Sequence, residues 1–253
     1  MITKQNLDKL VKKYETTEFI KDDPIKFIHK YKQKEDIEIA GFIASLVAYG
    51  SRKQFIKKLD ELFKIANDEP YNFILNFEPK ILGDFNYRFG KPEDFSEIFL
   101  ILKDLYKDNG GLENLFKYGY EKYKSNEVES IFIPVVDYFY ANIKNKVGQG
   151  FYHMIPNPRN GGAMKRMCML LRWFVRSKPV DVGIWKFMPK SDLFIPLDVH
   201  VARISREMGL LKRSSNDFKA VIELTENLKK FDANDPAKYD FAIFSYGINQ
   251  QKQ

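Results

Sequence analysis

The segment LDKLVKKYETTEFI, near the start of the chain, places an apolar residue every three to four positions, and that period recurs along nearly the whole sequence. No stretch of useful length alternates apolar with polar residues as a half-buried strand does. A chain patterned this way can bury its apolar stripes only by packing helix on helix, so the expected fold class is all-α. EDIEIAGFIASLVAYG is apolar almost all round, which predicts a buried central helix ending at Gly50. KDDPIKFIHKY begins with an acid before Pro24, the pattern of a capped helix with proline in its first turn. SNEVESIFIPVVDYFYANIKNK predicts a long helix kinked at Pro134. VGQGFYHMIPNPRNGG, residues 147–162, carries four glycines and two prolines and reads as the clearest loop. Beyond it follow four more helical segments, the third capped by Ser215 or Asn216 and the last starting at Asp235 and Pro236.

At 253 residues the chain is long enough for a sizeable core, and 22 Phe and 14 Tyr predict one built largely from rings. No apolar run is long enough to span a membrane. MITKQNLDKLVKKY is charged and amphipathic, unlike a secretory signal, so a cytoplasmic protein is expected. The single cysteine, Cys168, excludes an internal disulfide and a four-thiolate iron–sulfur cluster. It lies in an apolar helical run, where a buried and inert thiol is expected. His29, His153 and His200 lack metal-ligand spacing, so no metal site is expected.

The net charge of +7 is concentrated in one place. Residues 159–213 hold seven of the nine arginines and a net charge of +8, so the remainder is close to neutral. Such a segment favours a polyanion, with arginine suited to bidentate phosphate contacts. Within it, Gly161 and Gly162 permit close backbone approach just before a helix start, a phosphate-binding arrangement. Lys165 falls in the first turn of that helix, where the helix dipole disfavours a cation, so it is either a solvated side chain or a residue with a chemical role. Asp198, in IPLDVHVARISREMGL, has two readings as well. It is a good N-cap, and it is a carboxylate placed to face a developing positive charge.

IPLDVHVARISREMGL resembles the aspartate motif of the helix-hairpin-helix (HhH-GPD) DNA glycosylase superfamily, which includes endonuclease III, and DVHVARIS is especially similar to archaeal 8-oxoguanine DNA glycosylase. GGAMKRMCMLLRWF falls where that superfamily has its hairpin and catalytic lysine. IAGFIASLVAYGSRKQF resembles the helix and short loop that probe the base stack, and YDFAIFSYGI a late helix. The whole length is similar to a bacterial family of conserved hypothetical proteins with the blocks YRF, KR…LRW, PLDVHVAR and DPAKYDFA. One departure stands out: the usual Gly-x-Gly-x-Lys hairpin is GGAMK here, with Ala163 at the second glycine position.

The resemblance implies a two-lobed fold with a cleft between lobes. Residues 35–150 would form one lobe, and 1–34 with 151–253 a discontinuous second carrying the hairpin. It implies a monomer, nucleoid-associated, acting on double-stranded DNA that holds a damaged base or abasic site. Lys165 would be the nucleophile and Asp198 its paired carboxylate, with base release and AP lyase activity on a substrate such as 8-oxoguanine. Arg159, Gly161, Gly162, Arg166, Arg172, His200, Arg203, Tyr49 and Arg52 would contact DNA. Phe151, Tyr152, Trp173 and Trp185 would be candidates for the base pocket. No cofactor is implied beyond a monovalent cation at the hairpin. Two alternatives stay open: a monofunctional glycosylase using Asp198 and water, and a non-catalytic protein binding DNA or RNA structures on the same scaffold.

Overall fold

The computed structural model describes residues 2–122, 131–177 and 179–250, with side chains as far as Gly247. Among these the secondary structure is helical, and the only extended pairings are two isolated bridges, Tyr87 with Gly90 and Gly162 with Asp217. The chain divides into two compact units: Lys26–Asn160, and Met1–Ile25 together with Gly161–Gln253. The boundaries therefore fall at 25/26 and 160/161 rather than at 34/35 and 150/151. Packing explains both differences. Phe27 is buried against Phe63, centroids 5.1 Å apart, and Phe151 packs on Tyr140 at 6.2 Å, so both flanking segments join the continuous unit.

Helix α1 (Lys4–Tyr14) opens the discontinuous unit, capped by the Thr3 hydroxyl accepting from Asn6 N–H. The end of the periodic segment LDKLVKKYETTEFI and the capped segment at Pro24 form two short 3-10 turns, Thr17–Asp22 and Pro24–Lys30, where helix was expected. Asp23 caps the second by accepting from Ile25 N–H at 3.0 Å.

The continuous unit contains α2 (Lys34–Val47), α3 (Arg52–Ile65), α4 (Pro70–Leu75), α5 (Pro92–Asp108), α6 (Leu112–Lys122), α7 (Ile133–Ala141) and α8 (Gln149–Met154). Helix α2 buries every residue from Ile37 to Val47, as its apolar circumference requires, and stops three residues before Gly50. Rings fill the surrounding core: Phe42 stacks on Phe139 at 5.4 Å, and Phe73, Phe77 and Phe99 meet edge to face at 5.2–5.8 Å. Pro134 stands in the first turn of α7 and not at a kink, a position where its missing N–H costs nothing. Residues 125–130 of the expected longer helix lie outside the described residues. The glycine-rich stretch 147–162 is not all loop, because α8 and a 3-10 turn at Pro158–Asn160 occupy much of it. Buried acids anchor its start: Asp94 accepts from Gly148 N–H at 2.7 Å, and Glu97 accepts from Asn145 N–H and Nδ2 at 3.1 and 2.7 Å.

The chain then returns to the discontinuous unit with α9 (Lys165–Val175), α10 (Val199–Glu207), α11 (Phe218–Lys229) and α12 (Lys238–Gln250). Helix α12 packs against both α1 and α10. Gly247 lets α10 approach closely, since a Cβ there would meet Ile204 Cγ1 at 2.8 Å. Asp217, rather than Ser215 or Asn216, caps α11 by accepting from Ala220 N–H at 3.0 Å.

Two arginines, Arg172 of α9 and Arg176 at its C-cap, enter the interior of this unit. Arg172 is 3% exposed and pairs with Asp181 and Asp240. Arg176 pairs with Glu15 and Asp181, each at 2.6 Å, and with Asp235 at 2.8 Å. The expectation that Arg172 binds DNA is thereby corrected, since burial and two carboxylates leave it no phosphate to meet. Removing one member of such a network strands charge in low dielectric. Arg176→Met is expected to lower the unfolding free energy by about 3–5 kcal/mol in urea denaturation.

Candidate active site

Helical spacing brings the candidate chemistry together. On α9, Lys165, Met169 and Arg172 fall at intervals of four and three, so they share one face. Lys165 therefore stands two turns above the guanidinium that grips Asp240. The N-cap of α9, Met164, takes left-handed backbone at φ +48° and turns the chain sharply into the helix. The lysine amine lies 3.4 Å from Met169 Sδ, and no carboxylate of the described residues is within ion-pairing distance of it.

Asp198 sits at the N-cap of α10, half-buried, with extended backbone. Its Oδ1 accepts from both His200 N–H and Val201 N–H at 2.9 Å. Its Oδ2 takes no hydrogen bond from the described residues. The next side chain, Val199, is 66% exposed, so this helix end opens to solvent. The capping reading of Asp198 is thus correct, and it occupies only half of the carboxylate.

Asp240 joins the two, since both charges act on it. Helices α10 and α12 run in the same sense, with His200 beside Phe244 (centroids 6.3 Å) and Ile204 beside Gly247. One turn earlier, that register sets the N-terminus of α10 level with Asp240. Burial raises the Asp240 carboxyl to about 6, against the opposing pull of Arg172. Asp198 adds to the rise and Lys165 opposes it, so both charges act on this one group. An acid within an apolar helix, between Tyr239 and Phe241, was the signal available in the sequence.

The other expected site residues separate into two sets. Gly161, at φ +70°, and Gly162 leave open space around their backbone, and the loop is held by Phe218 N–H donating to Gly161 O at 3.0 Å. Arg166 is half-buried in the first turn of α9, and His200 is half-buried beside Phe244. Arg203 pairs with Glu207 at 2.7 Å. In the continuous unit, exposed Arg159 makes two bonds to Asp137 at 2.6 and 2.8 Å and holds that carboxyl below its usual range. Tyr49, Arg52, Phe151 and Tyr152 also belong to that unit.

The base-pocket expectation is corrected at three positions. Trp173, Trp185 and Phe151 are wholly buried, Trp185 edge-on to Phe174 at 4.7 Å, so no ring face is open for stacking. Tyr152 alone of the four is exposed, at 44%. Other arginines of 159–213 are committed to partners within the protein at its surface: Arg206 donates to the carbonyls of Arg213 and Ser214, and Arg213 pairs with Asp217. Cys168 is buried, and burial holds its thiol far above the usual range, protonated and inert. Among the described residues no cluster of three or more His, Cys, Asp or Glu is placed to hold a metal, and no helix is long and apolar enough to cross a membrane.

A family model described as a protein of unknown function (DUF2400) matches residues 23–249. No curated protein and no solved structure is matched by the chain.

Two outcomes test this geometry. Asp198→Ala should cost about 1 kcal/mol through the lost cap, whereas Asp198→Asn, which also caps, should stay within a few tenths. Asp240 has a folded value raised above that of an unfolded carboxyl, so its contribution to stability is complete at low pH. It is lost as pH rises from about 4 through about 6. Urea denaturation across that window should show a decline in wild type that Asp240→Asn lacks.

Proposed function

The chain belongs to the family of unknown function DUF2400, and from that premise we propose that it is a DNA glycosylase with lyase activity, Lys165 acting as nucleophile and Asp198 as its carboxylate partner. One observation carries this reading: Asp198 caps α10 with a single oxygen and keeps the other uncommitted, while Lys165, without a carboxylate partner of its own, acts on the same buried neighbour, Asp240. The resemblance of PLDVHVAR and GGAMK to the superfamily motifs supports the same pairing.

The chemistry follows from these groups. The damaged nucleotide is extruded from the duplex, which exposes its C1′. Asp198 accepts a proton from the Lys165 ammonium, and the neutral amine attacks C1′. The C1′–N bond breaks with its electron pair leaving on the base. The departing base takes that proton from Asp198, and the carboxylate so regenerated stabilises the positive charge left on the sugar adduct. Ring opening converts the lysine adduct to a Schiff base, from which β-elimination cleaves the strand. Gly161 and Gly162 offer an open backbone for a phosphate beside the lesion, and Arg166 a nearby cation. A lesion panel with 8-oxoguanine as its first member addresses the substrate.

Borohydride trapping on lesion-bearing and abasic duplexes tests the proposal. Wild type should form a covalent adduct that Lys165→Gln abolishes. Asp198→Asn should keep the fold and slow single-turnover base release about 10²–10⁴-fold. Release that survives Lys165→Gln but not Asp198→Asn points to water as nucleophile. No release and no adduct on any duplex removes the enzymatic reading.

A further inference from the structure

Residues 86–91, NYRFGK, belong to a tight turn that the chemistry of Lys165 and Asp198 leaves unused. Tyr87 and Gly90 exchange two backbone hydrogen bonds of 2.9 Å across it. Between them Arg88 adopts left-handed backbone at φ +52°, a conformation glycine reaches at lower cost. Phe89, beside it, is 55% exposed, although the continuous unit has a large ring-filled core available for phenylalanine.

The turn does not stand alone. Tyr49 is tied to it, its hydroxyl donating to Tyr87 O at 3.0 Å while the Tyr87 hydroxyl donates to Tyr49 O. The rings of Tyr49 and Phe89 lie within 8° of parallel, with centroids 6.4 Å apart. His153, exposed on α8, touches both rings, at 4.6 and 4.9 Å. The Arg88 guanidinium lies 6.0 Å from the first ring and 5.8 Å from the second. Gly150 holds α8 against the turn, since a Cβ there would strike Phe89 O at 2.3 Å. Exposed rings are therefore fixed in place before any ligand arrives.

Charge says what they face. The three segments that build the cluster, 48–53, 86–91 and 148–153, carry Arg52, Lys53, Arg88 and Lys91 and no carboxylate. Arg52 and Arg88 are also the two arginines lying outside the arginine-rich segment 159–213. A purely apolar protein partner has no use for such an edge, whereas a nucleic acid needs both parts: ring faces for a base and cations for the phosphates flanking it. We propose that Tyr49, Arg88, Phe89 and His153 form a stacking platform for an unstacked base of DNA. The proposal rests on the nucleic-acid part of the reading above and not on its catalytic part.

Fluorescence anisotropy with two single strands of equal length tests it, one carrying bases and one built wholly of tetrahydrofuran abasic units. The phosphate charge is the same on both. Phe89→Ala should weaken binding to the base-bearing strand about tenfold and leave the abasic strand unaffected. Arg88→Gly, which suits the turn, should keep the melting temperature and weaken both strands, the base-bearing one more. Phe89→Trp should restore the base-dependent difference. Equal losses on both strands, or none on the base-bearing strand, overturn the platform; the latter is also the outcome expected if a protein partner covers the rings. The catalytic proposal fails separately: base-dependent binding without any borohydride adduct leaves the platform standing, and adduct formation with unaltered Phe89→Ala binding removes only the platform.

Discussion

The discontinuous unit is organised around two guanidinium groups that have left water. Arg172, in the last turn of α9, and Arg176, at its C-cap, enter its interior and gather Glu15, Asp181, Asp235 and Asp240 around them. These residues come from the end of α1, from the chain beyond α9 and from the start of α12, so the network joins segments 161 residues apart in sequence. Desolvating two cations is costly, and planar donors aimed at several carboxylates offset that cost better than an ammonium would. Arg176 is surrounded on three sides and its charged state is stabilised further. The carboxylates outnumber the two cations, and burial, more than any neighbouring charge, raises the carboxyl of Asp240. It is the member nearest Asp198, and its proton is held to higher pH than any ordinary carboxyl holds one.

That arrangement explains which parts of the molecule were legible in the sequence. Helical period follows directly from burial on one face, so the all-α class and most of the helices could be read from apolar spacing alone. The Asp198 cap was legible for a similar reason, because capping depends on residues two and three positions away. What failed was the reading of arginine. Charge counted along a chain carries no information about which face of a helix it occupies, and α9 turns Arg172 inward. Trp173 and Trp185 misled in the same way, since large rings serve equally as core and as binding surface. Asp240 escaped notice because its importance comes from the parallel packing of α10 and α12, which no local pattern encodes.

The close approach of α10 and α12 is itself a consequence of one missing side chain. Gly247 removes the Cβ that would collide with Ile204, and the helices settle with His200 beside Phe244. Moving that register by a turn would carry Asp240 away from the N-terminus of α10 and separate it from Asp198. Arg172 fixes the same carboxyl from α9, the helix that also carries Lys165. Three helices thus meet at Asp240 through two unrelated kinds of contact, one steric and one ionic. Rigid support of this sort is what the proposed pairing of Lys165 with Asp198 needs if its geometry is to survive thermal motion.

A comparison of the acids sharpens the distinction between support and chemistry. Asp94 and Glu97 are buried and use both oxygens: Asp94 takes Lys91 N–H on one and Gly148 N–H on the other, and Glu97 takes backbone and side-chain donors of Asn145. Asp181 likewise gives one oxygen to each arginine. Asp94, Glu97 and Asp181 are thus saturated by the protein, because unsatisfied capacity in the interior is costly. Asp23, also buried, caps with Oδ1 alone. Asp198 shares that half-used state at a half-exposed helix end, where one oxygen is fixed by two N–H groups and the other is left over. The fixed oxygen sets the direction of the free one. An acid that is held rigidly and only half consumed can accept a proton or face a cation without rearrangement, and the cap is what makes it ready to do so.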